Sequence, residues 1–360
     1  ETKAIASLVK KLKRLPNPPL VLLTTLTETG HIEGKKSAPE ADWHAFLPFD
    51  FPYLVSPLVK RVSPDVFLLM ETDFWPHLLH TAKKEGATIS LLNGKISERS
   101  FKRFSSLSAF SRFFFSPFDH FFLQGPLYQK RFLSLGIPQE KLHITGNIKL
   151  DFSQYPPPDE LLKEKLQLGT SPLLTLGSTH DPEEAIWIEA LKVLWKIFPD
   201  LKVLLVPRHP ERFSEVADLL TSKEVSFGRF SEGATFQDVN LLLVDAMGIL
   251  RSCYSISTLT FVGGTFTEKV GGHNILEPCF YGKPVLYGPY LHSQPDLYLL
   301  SEQYGAGIKI SPEEIVPTLK NLLENPEKAR ELGEKGKELA TKEGGALDRT
   351  WEALAVNRDV

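Results

Sequence analysis

Along most of this chain, short continuous apolar runs alternate with helical patterns, and no other feature limits its fold so strongly. Runs at 20–25, 66–70, 87–92 and 120–123 occupy the first half, and runs at 173–176, 202–206, 240–244, 259–262 and 284–287 the second. Helical patterns such as 183–198 and 210–222 lie between them. Continuous rather than every-other-residue apolarity belongs to strands buried on both faces. Strand, helix and strand in series then predict an α/β fold with parallel sheets. Near the start, Ile5, Leu8, Val9 and Leu12 fall at helical spacing among Lys3, Lys10, Lys11, Lys13 and Arg14. A doubly wound domain places a strand before its first helix. The expectation is therefore that a segment holding that strand, and any signal or anchor, precedes Glu1.

A chain of 360 residues exceeds one ordinary core and suits two domains. Its 42% hydrophobic and 24% charged residues exclude wholesale disorder. Cys253 and Cys279 supply neither a disulfide framework nor a zinc cage, which points to a reducing compartment. No run approaches the length that spans a bilayer. The net charge of −3 hides an asymmetry: residues 1–155 carry 20 basic and 14 acidic side chains, residues 156–360 carry 21 and 30. A basic half and an acidic half suggest different partners. The charge break coincides with Tyr155-Pro156-Pro157-Pro158, a stiff step that reads as the domain boundary. The division expected is 1–154, 155–345, and a final helix at 346–360 that crosses back to the first domain. Two such domains would face each other across a cleft at the carboxyl ends of their strands, where open α/β sheets bind ligands.

The loops that leave the second-half strands carry chemistry at that edge. Pro207-Arg208-His209-Pro210 puts a guanidinium just past a strand, suited to grip a phosphate, although an Arg–Glu salt bridge is the plainer alternative. Gly263-Gly264-Thr265-Phe266 and Gly271-Gly272-His273-Asn274 lead into a helix expected at Ile275, with Asn274 as its cap. Amides at that helix start suit a phosphate, and Glu277 one turn in suits ribose hydroxyls. A ligand-free turn and helix is the alternative. Ser178 and Thr179 could reach a ligand, whereas Glu183 and Glu184 read as ordinary acids of a helix first turn. Asp245-Ala246-Met247-Gly248 adds a glycine that lets amides face a flat base. Four such loops at one edge point to a nucleotide-sugar site.

In the first half, Glu71, Asp73 and Trp75 end one strand, and capping is the reading preferred for Asp73 over an acid/base pair. Asn93 to Ser100 ends the next and supplies Lys95 and Arg99. Residues 101–122 hold nine phenylalanines with Lys102, Arg103 and Arg112. A core helix running into a strand and a basic-aromatic membrane patch at 101–118 are both open readings.

Taken together these motifs resemble the 3-deoxy-D-manno-octulosonic acid (Kdo) transferases that glycosylate lipid A precursors, a GT-B glycosyltransferase family. The resemblance runs in order through Glu1, Thr24-Thr25, Thr29-Gly30, Leu47-Pro48-Phe49-Asp50, residues 70–76, 93–100, 146–151, 177–180, 206–213, 245–250 and 261–278. It implies two Rossmann-like domains and an inverting transfer of Kdo from CMP-Kdo to lipid IVA in lipopolysaccharide biosynthesis, with the number of Kdo residues open. Glu1 matches the family's catalytic base, without the glycine that precedes it there. CMP contacts carry over to Pro207, Arg208, Met247, Gly248, Ile249, Asn274, Ile275, Leu276 and Glu277. Ser178, Thr179, Lys149, Glu71, Lys95 and Arg99 are further donor or acceptor contacts. The resemblance also implies a place at the cytoplasmic face of the inner membrane, peripheral or anchored by an N-terminal region, and no nucleic-acid partner.

The pattern departs in places. Ile249 stands where the family usually has Glu, so a contact there runs through backbone. Asp73 replaces a usual Glu, and Gly94-Lys95 a usual Ala-Arg, both on the acceptor side. With no carboxylate cluster at the nucleotide loops, no metal and no cofactor are expected beyond the donor itself. Two rivals stand: a GT-B nucleotide-sugar epimerase using a UDP-sugar, and a non-catalytic nucleotide- or lipid-binding module.

Overall fold

The computed structural model describes residues 2–71, 75–150 and 155–356. The chain divides into two compact units, 1–153 with 343–360, and 154–342.

The first unit begins with the helix Thr2–Lys13, which buries Ile5, Leu8, Val9 and Leu12. Two parallel strands follow, β1 (Leu22–Thr25) and β2 (Trp43–Phe46). A four-stranded parallel sheet is formed by β3 (Val66–Met70), β4 (Thr88–Gly94), β5 (His120–Leu123) and β6 (Leu142–Ile144), in sequence order. The apolar runs anticipate β1, β3, β4 and β5, with edges shifted by up to two residues. They miss β2 and β6, whose Trp43-His44-Ala45-Phe46 and Leu142-His143-Ile144 mix polar and apolar residues on short, partly exposed strands.

The phenylalanine-rich stretch is mostly core. The helices Glu98–Ser106 and Ser108–Phe115 bring Phe104, Phe114 and Phe115 against Phe118, Phe121 and Phe132, with Phe104 and Phe115 ring centres 5.1 Å apart and Phe115 edge-on to Phe132 at 5.5 Å. Phe122 is buried in a second cluster. Phe110 and Phe113 stay half exposed, beside exposed Lys102, Arg103 and Arg112. The lipid-facing reading of 101–118 thus keeps two aromatic rings of the stretch, because the other side of these short helices closes the sheet.

The second unit is one seven-stranded parallel sheet in the order β13-β12-β11-β7-β8-β10-β9. Its strands are β7 (Leu173–Thr179), β8 (Lys202–Pro207), β9 (Phe227–Arg229), β10 (Leu241–Leu243), β11 (Leu259–Val262), β12 (Val285–Tyr287) and β13 (Ile308–Lys309). Central β7 is buried along its whole length, its polar Thr175, Ser178 and Thr179 included. The helix Glu183–Ile197 lays Trp187, Ile188, Leu191 and Leu194 onto Leu174, Leu176, Val203 and Leu205. Only the short edge strands β9 and β13 lacked an apolar run.

The last helix, Ala346–Val356, belongs to the first unit. Leu347 packs with Leu8, Leu12 and Ile148, and Arg349 donates to the Thr145 carbonyl at 2.9 Å.

Candidate functional site

In each unit, polar side chains gather where parallel strands end, and there the backbone leaves its usual conformations. Ser178, Asn93 and Glu71 adopt left-handed conformations, with φ of 55°, 55° and 58°. The pairing register shifts beside two of them, between Gly177 and Thr179 and between Leu91 and Gly94. Such residues cost about 1–3 kcal/mol each and persist where function or packing demands them.

In the second unit, β7 ends in Gly177-Ser178-Thr179-His180. Gly177 lies against the Tyr254 ring so closely that a Cβ there would fall 2.0 Å from the hydroxyl oxygen. Thr179 is fully buried and Ser178 nearly so; neither turns much surface to a ligand. From β8, Arg208 donates its amide to the Thr179 carbonyl at 3.1 Å and exposes its side chain. Among the described residues no carboxylate pairs with Arg208. The salt bridge of this loop is made by Arg212 instead, two-pronged to buried Glu184 at 2.6 and 3.2 Å.

Glu183 does more than complement a helix end. Its carboxylate accepts from four amides, those of His180 (3.0 Å), Gly264 (2.7 Å), Thr265 (2.9 Å) and Phe266 (2.9 Å). One buried side chain thereby ties the β7 loop to the loop after β11. Burial pushes its carboxyl up, and the four amides pull the other way without cancelling that. This nest was not legible in the sequence, because three of its four donors lie about 80 residues away.

The β11 loop continues through Gly271 and Gly272, at φ of 78° and 95°, to His273. The helix that follows is Leu276–Phe280, one residue later than expected and five residues long. Its N-cap is therefore Ile275, without a side-chain cap, and Asn274 lies one residue before it and accepts from the Leu276 amide at 3.0 Å. Glu277 is not free to face solvent: Arg251 approaches it at 3.5 Å and the Tyr155 hydroxyl at 3.4 Å, with the Arg251 guanidinium 3.9 Å above the Tyr155 ring. Burial raises its proton affinity against those partners. After β10, Asp245 is saturated by Ser231 and Arg229. Met247 is exposed, Gly248 is left-handed at φ 84°, and Ile249 packs onto the core beneath.

His180 and His273 meet Nε2 to Nε2 at 2.8 Å, and His209 stands edge-on to His180 at 5.3 Å. Burial first, then neighbouring histidines and Arg208, push both paired rings down to about 4; Arg212 adds to the effect on His180. The sequence places each of these histidines on a strand-end loop, which marks the edge but not the pairing.

In the first unit, nearly buried Glu71 is gripped by Lys149 and by Lys95 at 3.0 Å, with Asn93 Nδ2 at 3.3 Å. Asn93 also accepts from the Ile148 amide at 2.9 Å, which joins β4 to the turn that carries Lys149. Burial raises the Glu71 carboxyl, but the two lysines outweigh it and hold it below the ordinary range. Arg99 lies exposed on the helix Glu98–Ser106. Asp50 caps the helix Pro76–Lys84 through the amides of His77 and Leu78. Glu1 and Asp73 fall outside the described residues.

Residues 1–152 match the family model described as 3-deoxy-D-manno-octulosonic-acid transferase (kdotransferase). Over 359 residues the chain is 38% identical to a 3-deoxy-D-manno-octulosonic acid transferase of Chlamydophila psittaci, covering 98% of this chain and 82% of that one. A transferase of the same name from Haemophilus influenzae is 33% identical over 362 residues, covering 98% and 84%. The UDP-GlcNAc 2-epimerase of Neisseria meningitidis, solved with UDP-GlcNAc, superposes with a TM-score of 0.66 over 99% of this chain and 96% of its own. At 16% identity that likeness shows the fold alone, which is GT-B.

Proposed function

The chain belongs to the 3-deoxy-D-manno-octulosonic acid transferase family and is a Kdo-transferring glycosyltransferase, and from that premise we propose that it moves Kdo from CMP-Kdo to the lipid A precursor lipid IVA, with inversion and without a metal. The observation that carries the donor half is Arg208. It is an exposed cation at the end of β8, unpaired among the described residues, flanked by loops in which Glu183, Glu184 and Asp245 are already engaged. A phosphate there meets a guanidinium able to give two parallel hydrogen bonds. Pro207 holds the turn, the segment 247–249 offers backbone to the base, and the segment 274–277 offers the start of a short helix.

Glu1 is the proposed base. It takes the proton of an acceptor hydroxyl as that oxygen bonds to the anomeric carbon of Kdo, while the bond to the CMP phosphate breaks on the opposite face. The phosphate leaves as an anion that Arg208 stabilises, so it needs no proton and no divalent ion. Glu71 with Lys95 and Lys149 is the proposed acceptor-side cluster, where two lysines meet a phosphorylated substrate. The proposed place of work is the cytoplasmic surface of the inner membrane. Among the described residues no helix is long and apolar enough to cross a membrane.

Thermal melts with CMP, UDP and UMP test the donor. A ligand at 100 times its Kd adds about 2.7 kcal/mol. The expected result is a shift with CMP that UDP and UMP do not give and that Arg208→Ala weakens about tenfold to hundredfold in apparent Kd. A preference for UDP would sink the Kdo donor. Glu1→Gln is expected to keep the CMP shift and to lose about 10²–10⁴-fold in transfer to lipid IVA.

A further inference from the structure

The proposed transfer leaves His180 and His273 without a task, yet their geometry is specific. The rings lie 17° from parallel with centres 5.0 Å apart, and their Nε2 atoms are 2.8 Å apart. At that distance one proton lies between the two nitrogens, since two N–H groups or two lone pairs would repel. In the neutral pair, the ring that donates through Nε2 keeps a lone pair on Nδ1. A single further proton goes to that Nδ1, and the resulting imidazolium still donates through Nε2, now with charge assistance. A second proton would have to land on the accepting Nε2 and break the contact. The pair is therefore built to take one proton without rearranging.

Its surroundings keep it neutral until an anion arrives. Arg208, Arg212 and His209 face it from the β8 loop, and all three disfavour a positive charge on His180. Of the nearby carboxylates, Glu183 is bound by four amides, one of them from His180 itself, Glu184 is bound by Arg212, exposed Asp181 acts on Arg212, and Glu211 lies 3.8 Å from His209. On the far side the Tyr298 hydroxyl donates to the His273 carbonyl at 2.7 Å and fixes that loop. A phosphate brought against Arg208 cancels the field that opposes protonation.

We propose that binding of the donor phosphate at Arg208 is coupled to uptake of one proton by the His180–His273 pair, which then serves as a second cation for the anion. The proposal rests on the reading of these loops as the donor site. Coupling of this kind is reciprocal, so nucleotide affinity rises as pH falls toward 6.

Calorimetry of CMP binding at pH 6.5, in buffers of different ionisation enthalpy, counts the protons. The phosphate of CMP titrates near pH 6 and exchanges protons in every variant alike, so the difference between proteins belongs to the pair. With the free pair at about 4, wild type is expected to take up a fraction of a proton more per CMP than His180→Gln or His273→Gln at pH 6.5, a difference that grows when the titration is repeated at pH 5.5. Equal uptake in all three overturns the proposal while leaving CMP binding intact. Failure of wild type to bind CMP overturns the donor reading and this inference with it. Should a variant lose CMP binding, the ¹⁵N imidazole shifts of wild type decide. A change of one ring from neutral to imidazolium on adding CMP supports the coupling, and unchanged shifts overturn it.

Discussion

Glu71 and Glu183 are both nearly buried glutamates at the carboxyl edge of a parallel sheet, yet their surroundings move them in opposite directions. Two lysines outweigh burial at Glu71, whereas four amide dipoles do not outweigh it at Glu183. Glu183 is also the more deeply buried of the two, and full charges compensate desolvation better than partial ones. The same reasoning applies to His120 on β5 and His143 on β6, where burial lowers both rings and leaves His120 Nδ1 and His143 Nε2 buried without partners. A histidine whose folded pKa lies below its unfolded value contributes no penalty above about pH 6.5 and loses stability as pH falls through that value. Glu183 and Glu277, raised by burial, act in the opposite sense, so the test must compare variants. His143→Gln is expected to flatten the fall of Tm between pH 6.5 and 5 relative to wild type. A parallel fall in both proteins would show that His143 stays as protonatable folded as unfolded.

At the scale of elements, the helix Pro52–Val62 is half used. It buries Val55 and Val59 on one narrow face and leaves Leu54, Leu58 and Val62, an i, i+4 row, exposed. Phe49, Phe51 and Tyr53 lead into it as a staircase of rings, with Phe49 76% and Tyr53 72% exposed. Lys60 and Arg61 close it. An apolar row with a basic end suits the headgroup layer of an anionic membrane, where the proposed acceptor resides. Sequence reading left 101–118 open between such a surface and a core, and most of the phenylalanines there close a core. Replacing Phe49, Tyr53 and Leu58 together by serine is expected to weaken binding to phosphatidylglycerol vesicles at least about a hundredfold, at about 1 kcal/mol or more per exposed side chain lost. Unchanged sedimentation with vesicles, with an unchanged circular dichroism spectrum, would remove this helix from any membrane role.

For the whole molecule, the consequential fact is that the chain ends on the unit it began with. The helix Ala346–Val356 seals the cluster of Leu8, Leu12, Phe122 and Ile148, Asp348 pairs with Lys11, and Arg349 donates to the carbonyls of Thr145 and Gly344. Leu347→Ala empties part of that core and is expected to cost about 2–4 kcal/mol, read as a lower first transition in calorimetry while the second unit melts as before. A single transition that shifts as a whole would show that the two units unfold together.

The amino-acid sequence by itself determined the fold class, the carboxyl-edge loops and the family. Those rest on local facts: continuous apolar runs for strands buried on both faces, glycines where chain and side chain must approach, and motif order. It also placed Arg208 directly after a strand, and Asn274 and Glu277 at the start of a short helix. Only tertiary structure decided what each polar group meets. The amide nest of Glu183, the Glu71–Lys95–Lys149 cluster and the His180–His273 pair join residues separated by about 20 to 90 positions. No local periodicity encodes those meetings. They follow from which strand lies beside which, and β7 lies between β8 and β11.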